Sequence, residues 1–159
     1  MYLRKAQLTN EYLPAMEDLQ AKTAEARVAR MATVDFEGRP HLVPLCFVLE
    51  GDMLYSAVDE KPKRSKALKR LENIRAHSRV TVLVDHYEDD WSRLWWVRLD
   101  GNARILESGR EYDRALALLL EKYDQYRAEP PRGPVIAITV ERRLAWSAGA
   151  HAAEQEGAQ

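Results

Sequence analysis

The segment RMATVDFEGRPHLVPLCFVLE does more than any other to limit what this chain can fold into. Two alternating apolar stretches, Val28 to Val34 and Pro40 to Leu49, flank Asp35-Phe36-Glu37-Gly38-Arg39. Period-two alternation marks a strand with one buried face, and Gly38 can take the positive φ of a hairpin turn. The two stretches are predicted to pair antiparallel. A further turn, Glu50-Gly51-Asp52, leads to Met53 to Val58, read as a third strand that completes a meander. The meander runs into EKPKRSKALKR, and between Lys61 and Arg79 the cations are opposed by Glu72 alone. Strands followed by an electropositive helix start suit a phosphorylated small molecule, because free N–H groups and the helix dipole add to charge-assisted donors. Charge by itself equally describes a solvated helix face.

The rest of the chain extends this pattern. Leu13 to Ala26 reads as a helix on or beside the strands, with Pro14 in its first turn and Met16, Leu19 and Thr23 at helical spacing. Ser65 or Pro62 opens a second helix whose apolar stripe is Ala67, Leu68, Leu71 and Ile74. Arg79 to His86 is predicted as a central strand, and Trp95 to Leu106 as a long strand with a bulge or bend at Asp100-Gly101. Ser108 to Glu111 matches a capping box ahead of a helix carrying Tyr112, Leu116, Leu119, Leu120 and Tyr123. Val135 to Trp146 follows a proline-rich loop as the last strand, and the tail from Gly149 to Gln159 reads as disordered. These elements make one domain over residues 1–148, mainly β within an α+β chain. Six antiparallel strands form a barrel decorated by two or three helices.

Composition excludes several classes. Lys and Arg total 24 against 25 Asp and Glu, so any anion site must be local and generic nucleic-acid binding has only the one basic helix behind it. Cys46 is the single cysteine, which rules out a disulfide framework or CxxC pair and fits a reducing cytoplasm. It reads as a small buried hydrophobe rather than a reactive thiol. No stretch has the length to span a bilayer, and the four histidines, His41, His77, His86 and His151, lack metal-ligand spacing. Neither GxGxxG nor a P-loop is present. Trp91, Trp95 and Trp96 are candidates for a substrate wall, with core or interface packing as the competing role for them and for Trp146. Trp95 and Trp96 are adjacent on one strand, so at most one can face a given pocket. His86, Tyr87 and Glu88-Asp89-Asp90 offer a proton donor near a substrate, or simply a solvated acidic turn.

Taken in order, VARMATVDFEGRPHLVPLCF, LYSAVDEKPKR, LENIRAHSRVTVLVDHYEDDW, LWWVRLDGNARI and PPRGPVIAITV resemble the pyridoxamine 5'-phosphate oxidase-like split-barrel superfamily of FMN-binding proteins. Within it they resemble the branch that uses the deazaflavin coenzyme F420. The likeness covers Arg27 to Ala148 and implies a six-stranded split β-barrel and a homodimer with the cofactor in the groove between subunits. It further implies that Tyr55 and Ser56 lie beside the ribityl-phosphate arm, and that Lys61, Lys63, Arg64 and Arg70 hold the phosphate. The ring system would lie on Val43, Pro44, Leu45 and Cys46. FMN-binding members carry Arg-x-x-Arg-x-x-Gly on one strand, whereas this chain has Trp95 at the first position and keeps Arg98 before Gly101. That departure favours F420, whose acidic tail Arg64 and Lys66 could meet. The activity implied is hydride transfer between F420 and a small organic acceptor. The alternatives are an FMN-dependent reductase or oxidase, and a non-catalytic protein binding a flavin, F420 or a tetrapyrrole-like ligand.

Overall fold

The computed structural model describes residues 12–58 and 65–148, with side chains for 17–58 and 69–148. The expected tail beyond Gly149 lies outside the described residues. Helix α1 is Tyr12–Glu25, and β1 (Ala29–Val34) and β2 (Pro40–Leu45) form the expected hairpin. The chain continues through β3 (Val48–Glu50), β4 (Met53–Ala57), α2 (Ser65–Ala76) and β5 (Arg79–His86). A 3-10 turn at Trp91–Arg93 precedes β6 (Trp95–Leu106), α3 (Arg110–Lys122), α4 (Asp124–Ala128) and β7 (Val135–Ser147).

All seven strands join one antiparallel sheet in the order β2-β1-β5-β6-β7-β4-β3. Two expectations are corrected here. Pro40 to Leu49 is two strands, which raises the count from six to seven, and the first strands are no meander because β2 and β3 occupy opposite edges of the sheet. Only Cys46 and Phe47 separate these edge strands along the chain, so the sheet must curl until its edges meet. No ladder joins β2 to β3, which leaves the barrel split along that seam. The corner is fixed from outside. Phe47 is fully buried, its N–H donates to the Tyr123 hydroxyl at 3.0 Å, and that hydroxyl lies 2.9 Å from the Phe47 carbonyl and 3.0 Å from the Arg27 carbonyl.

Strand alternation then sorts side chains into two cores. The barrel interior holds Met31, Phe47, Leu54, Val82, Val84, Leu99, Ile136 and Ile138, with Leu71 and Ile74 from α2 and Leu19 from α1. A second cluster lies between α3 and the outer face of β4 and β7, formed by Tyr55, Ala57, Ala115, Leu119, Tyr123, Val135 and Ala137. The expected irregularity at Asp100-Gly101 is present, but the extra residue is on the partner strand. Asp100 pairs with Arg142 and Gly101 with Val140, so Glu141 bulges out, and the Val140 N–H turns instead to the Asp52 carbonyl at 2.8 Å. The bulge moves the inward positions of β7 from Ile136, Ile138 and Val140 to Ala145, which keeps both halves of the strand on the core.

The capping box does not form. Gly109 is the N-cap of α3 at φ 101°, without a side-chain cap bond, and the Glu111 carboxylate takes Arg104 in a bidentate pair at 2.8 and 3.1 Å. The guanidinium is the stronger partner available to that carboxylate.

Candidate functional site

Helix α2 packs on β1 and β6 at one end of the barrel, where the β1–β2 turn also sits. The turn is held by Asp35, whose carboxylate accepts from the N–H groups of Glu37 and Arg39 at 2.9 Å each and from Arg39 Nε at 2.8 Å. The Arg39 guanidinium, with those two N–H groups, draws the Asp35 pKa down to about 2. Beneath it Asn73 Nδ2 donates to Thr33 Oγ1 at 2.9 Å, a buried pair that fixes α2 against β1.

The cations of α2 divide sharply in this setting. Lys69 lies 3.7 Å from the Asp35 carboxylate, which gives it a counter-ion. Arg70, the next residue, is half-buried, and its Nε is buried with no hydrogen-bond partner among the described residues. Burial pushes its pKa down from the usual arginine value. A guanidinium Nε taken out of water with no acceptor among the described residues is a donor that an anion would satisfy. The phosphate of a flavin-type cofactor has the charge and the acceptor oxygens to meet it. Lys61, Lys63 and Arg64 lie outside the described residues, as does the side chain of Lys66. An open cleft of about 500 Å³ runs beside the same helix, lined by Ile74, Arg75 and residues 103–108.

The other expected positions are divided between layers. Tyr55 and Ser56 alternate on β4. Tyr55 is buried in the cluster under α3, its hydroxyl 3.3 Å from Glu111, while Ser56 is fully buried with an unpartnered hydroxyl. The Tyr55 pKa is pushed up by burial and by the Glu111 carboxylate. On β2, Val43 and Leu45 pack toward the barrel interior and Pro44 is exposed on the opposite face, while Cys46, in the corner that follows, joins the α3 cluster. These four residues therefore present no single surface, because a strand turns successive side chains to opposite sides.

At the opposite end of the barrel, Trp95 packs against the interior core and stacks with His86, ring centroids 6.3 Å apart and planes within 15°. Trp96 pairs across the sheet with Trp146 on the outer face. The two adjacent tryptophans thus face opposite ways, as alternation requires. Trp91 stands 69% exposed on the 3-10 turn. Arg98 lies on the outer face beside Asp100, 3.2 Å away.

Some features had no local sequence signal. Lys122 is half-buried with its Nζ 4.1 Å from the Phe47 ring centroid and 5.4 Å from that of Tyr123. Burial, reinforced by Arg27, lowers its pKa to about 8, while the aromatic faces beneath it favour the charged form. Among the described residues no group of His, Cys, Asp and Glu is arranged to hold a metal, and no helix is long and apolar enough to cross a membrane.

A seven-stranded antiparallel barrel split along the β2–β3 seam, with α2 at one end and α3 on its outer face, defines the split-barrel class. The family model for pyridoxamine 5'-phosphate oxidase matches residues 15–147, and the chain belongs to that family. Three solved structures are similar in fold. The conserved hypothetical protein Rv2991 from Mycobacterium tuberculosis is 21% identical with a TM-score of 0.66, over 93% of this chain and 91% of that one. A FAD-binding protein from Mesorhizobium loti is 24% identical with a TM-score of 0.62, over 82% and 92%. The heme storage protein HutZ from Vibrio cholerae is 13% identical with a TM-score of 0.65, over 85% and 93%. A search of the curated proteins finds no match.

Proposed function

We propose that this protein is an oxidoreductase that binds the deazaflavin coenzyme F420 and exchanges hydride with a small organic acceptor. The observation that carries the reading is Arg70, a half-buried guanidinium whose Nε lacks a partner while its neighbour Lys69 has one. In this reading Arg70 and the cations Lys61, Lys63 and Arg64 hold the cofactor phosphate, and Tyr55 and Ser56 shape the strand beside it. When bound, the cofactor supplies the hydride-carrying carbon, so the chain's own task is to bind, orient and exclude water. F420 is preferred over FMN because Trp95, an apolar side chain packed on the barrel core, stands where FMN-binding relatives carry an arginine.

We further propose a homodimer with the cofactor between subunits and a cytoplasmic location. The outer face of β2, β1, β5, β6 and β7 supports the dimer. It presents Leu42, 67% exposed, Val34, 36% exposed, and Trp146, 40% exposed. These apolar side chains stand around the Arg30–Asp85 and Arg98–Asp100 pairs of the same face, a mixed surface of the kind an isologous contact uses.

FMN remains the family's own alternative, and a ligand-carrying role is favoured by the likeness to a heme storage protein. Absorption spectra of the purified protein mixed with F420, FMN or heme, followed by turnover with reduced F420 across an acceptor panel, separate the three. Arg70→Ala should weaken F420 binding about tenfold or more, the loss of one charge-assisted phosphate contact. Unchanged F420 affinity in that variant, or tight FMN retention without F420 binding, overturns the proposal.

A further inference from the structure

Among the described residues, five side-chain atoms are buried without a hydrogen-bond partner: His41 Nδ1, Ser56 Oγ, Arg70 Nε, Arg98 Nε and Lys122 Nζ. Such groups are rare in folded proteins, and each needs a cause. Two have compensation nearby. Arg98 Nε lies 3.2 Å from a carboxylate oxygen of Asp100, and Lys122 Nζ rests on the Phe47 ring. Ser56 faces the barrel interior on the side of Leu54 and Val58, and the whole residue is sealed from solvent, where no ligand reaches it. His41 and Arg70 remain, and both residues are only part-buried. A turn about one terminal side-chain bond therefore presents either unpaired nitrogen to a ligand at the surface.

Three connections bring these two side chains together. His41 faces Thr33 across the β1–β2 ladder, and cross-strand partners have Cβ atoms about 5 Å apart on one face of the sheet. Asn73 Nδ2 reaches Thr33 Oγ1 at 2.9 Å. Arg70 stands one helical turn before Asn73, on the same side of α2. Its lean is fixed as well. Burial lowers the Arg70 pKa, and against burial works the Tyr126 phenol, which packs in one cluster with Cys46, the residue after β2. Arg70 thus leans toward β2, the strand of His41, and away from β5 on the other side of β1. Asp35, the carboxylate at this end of the barrel, is already held by Arg39 and Lys69. A guanidinium N–H and an imidazole N–H arriving from different elements need acceptor oxygens pointing in more than one direction. A phosphate monoester offers three such oxygens in a pyramid, whereas a carboxylate offers two in one plane.

We propose that His41 is a second anion ligand of the α2 site, its Nδ1–H donating to the same phosphate group as the Arg70 guanidinium. The site thereby selects a phosphate monoester over a carboxylate. The role of His41 rests on the phosphate reading of Arg70, and is independent of which cofactor carries the phosphate.

Inorganic phosphate, titrated without cofactor, is the probe, with acetate as the planar anion. Binding is followed by calorimetry, and the His41 ring nitrogens by long-range proton–nitrogen NMR, assigned from the signals that His41→Phe removes. Saturable phosphate binding is expected, with acetate at least about tenfold weaker and the Nδ1 resonance moving to its proton-bearing position as phosphate saturates. His41→Phe keeps a ring and removes the donor, so it should bind phosphate about tenfold more weakly. His41→Asn sets an amide N–H close to the Nδ1 position and should stay within about threefold of the parent. Because Nδ1 is unpaired in the ligand-free protein, His41→Phe should melt no lower than the parent in phosphate-free buffer. If it does melt lower, the NMR of the parent decides. The proposal is overturned by a Nδ1 resonance that phosphate leaves in place, by absence of saturation, or by equal affinity for acetate. A His41→Phe affinity within about twofold of the parent, or equal losses in the Phe and Asn variants, also overturns it. Weakened phosphate binding in Arg70→Ala with parent-like binding in His41→Phe removes His41 from the site and leaves Arg70 as the phosphate ligand, so the two readings fail separately.

Discussion

Gly101→Ala is the sharpest test of the barrel's architecture. A Cβ built at this position would lie 2.2 Å from the Thr139 carbonyl oxygen, 3.0 Å from the Thr139 carbonyl carbon and 3.1 Å from Ile138 Cγ2. Even the closest favourable carbon–oxygen contacts fall near 3.3 Å, so the overlap is about 1 Å. The obstacle is the backbone of the paired strand β7, which cannot rotate aside as a side chain can. Relief requires β6 and β7 to part where Gly101 faces Val140, beside the Glu141 bulge. Overpacking of this kind costs about 1–3 kcal/mol, and the rigidity of the obstacle places this case at the upper end. Disturbing one or two ladder hydrogen bonds adds about 1 kcal/mol, and the reduced freedom of the unfolded chain returns a similar amount. The net expectation is a loss of about 3 kcal/mol, a large share of the stability of an ordinary domain. For a chain of this size it corresponds to a melting temperature lower by about 6–12 °C. Urea unfolding followed by far-UV circular dichroism measures it directly. Gly38→Ala and Gly51→Ala serve as comparisons, since both have open space around them and positive φ, 81° and 60°. Each should cost only the left-handed penalty of about 1–2 kcal/mol. A Gly101→Ala loss under about 1 kcal/mol, or one no larger than these, refutes the close approach of β6 and β7.

Two further perturbations probe the parts that position the candidate site. Asp35 has a pKa lowered to about 2 from 3.8, so its stabilisation is complete above about pH 4 and disappears as pH falls through about 2. Asp35→Asn should therefore melt below the parent at pH 6, with the gap closing between about pH 4 and pH 2, and a pH-independent gap would count against the hydrogen-bonded turn. Tyr123→Phe removes the hydroxyl that accepts from the Phe47 N–H and leaves that buried group unpaired, at a cost of about 1–3 kcal/mol by urea unfolding. A change within about 0.5 kcal/mol would show that the corner between β2 and β3 does not depend on it.

The elements that were legible in the sequence are those whose cause is local. The β1–β2 hairpin follows from alternation and Gly38, β5 from its run of branched residues, and α3 from helical periodicity around Leu116, Leu119 and Tyr123. The corner at Cys46-Phe47 has a distant cause, because the groups of Phe47 are claimed by a tyrosine 76 residues further on. Nothing nearby distinguishes those two residues from the interior of one strand, and reading them so turned a closing barrel into a meander. The bulge shows a mixed case. Gly101 marks where backbones meet, yet the extra residue is Glu141, supplied by the strand for which the glycine makes room. The same division governs the site. Positive charge on α2 is visible in composition, but a cation's availability depends on what the fold places beside it. Lys69 and Arg70 are neighbours in the chain, and one meets the Asp35 carboxylate while the other buries an unpaired Nε. That difference is produced by where the β1–β2 turn lands against the helix, so the turn, through Asp35, decides which of the two cations has a carboxylate beside it.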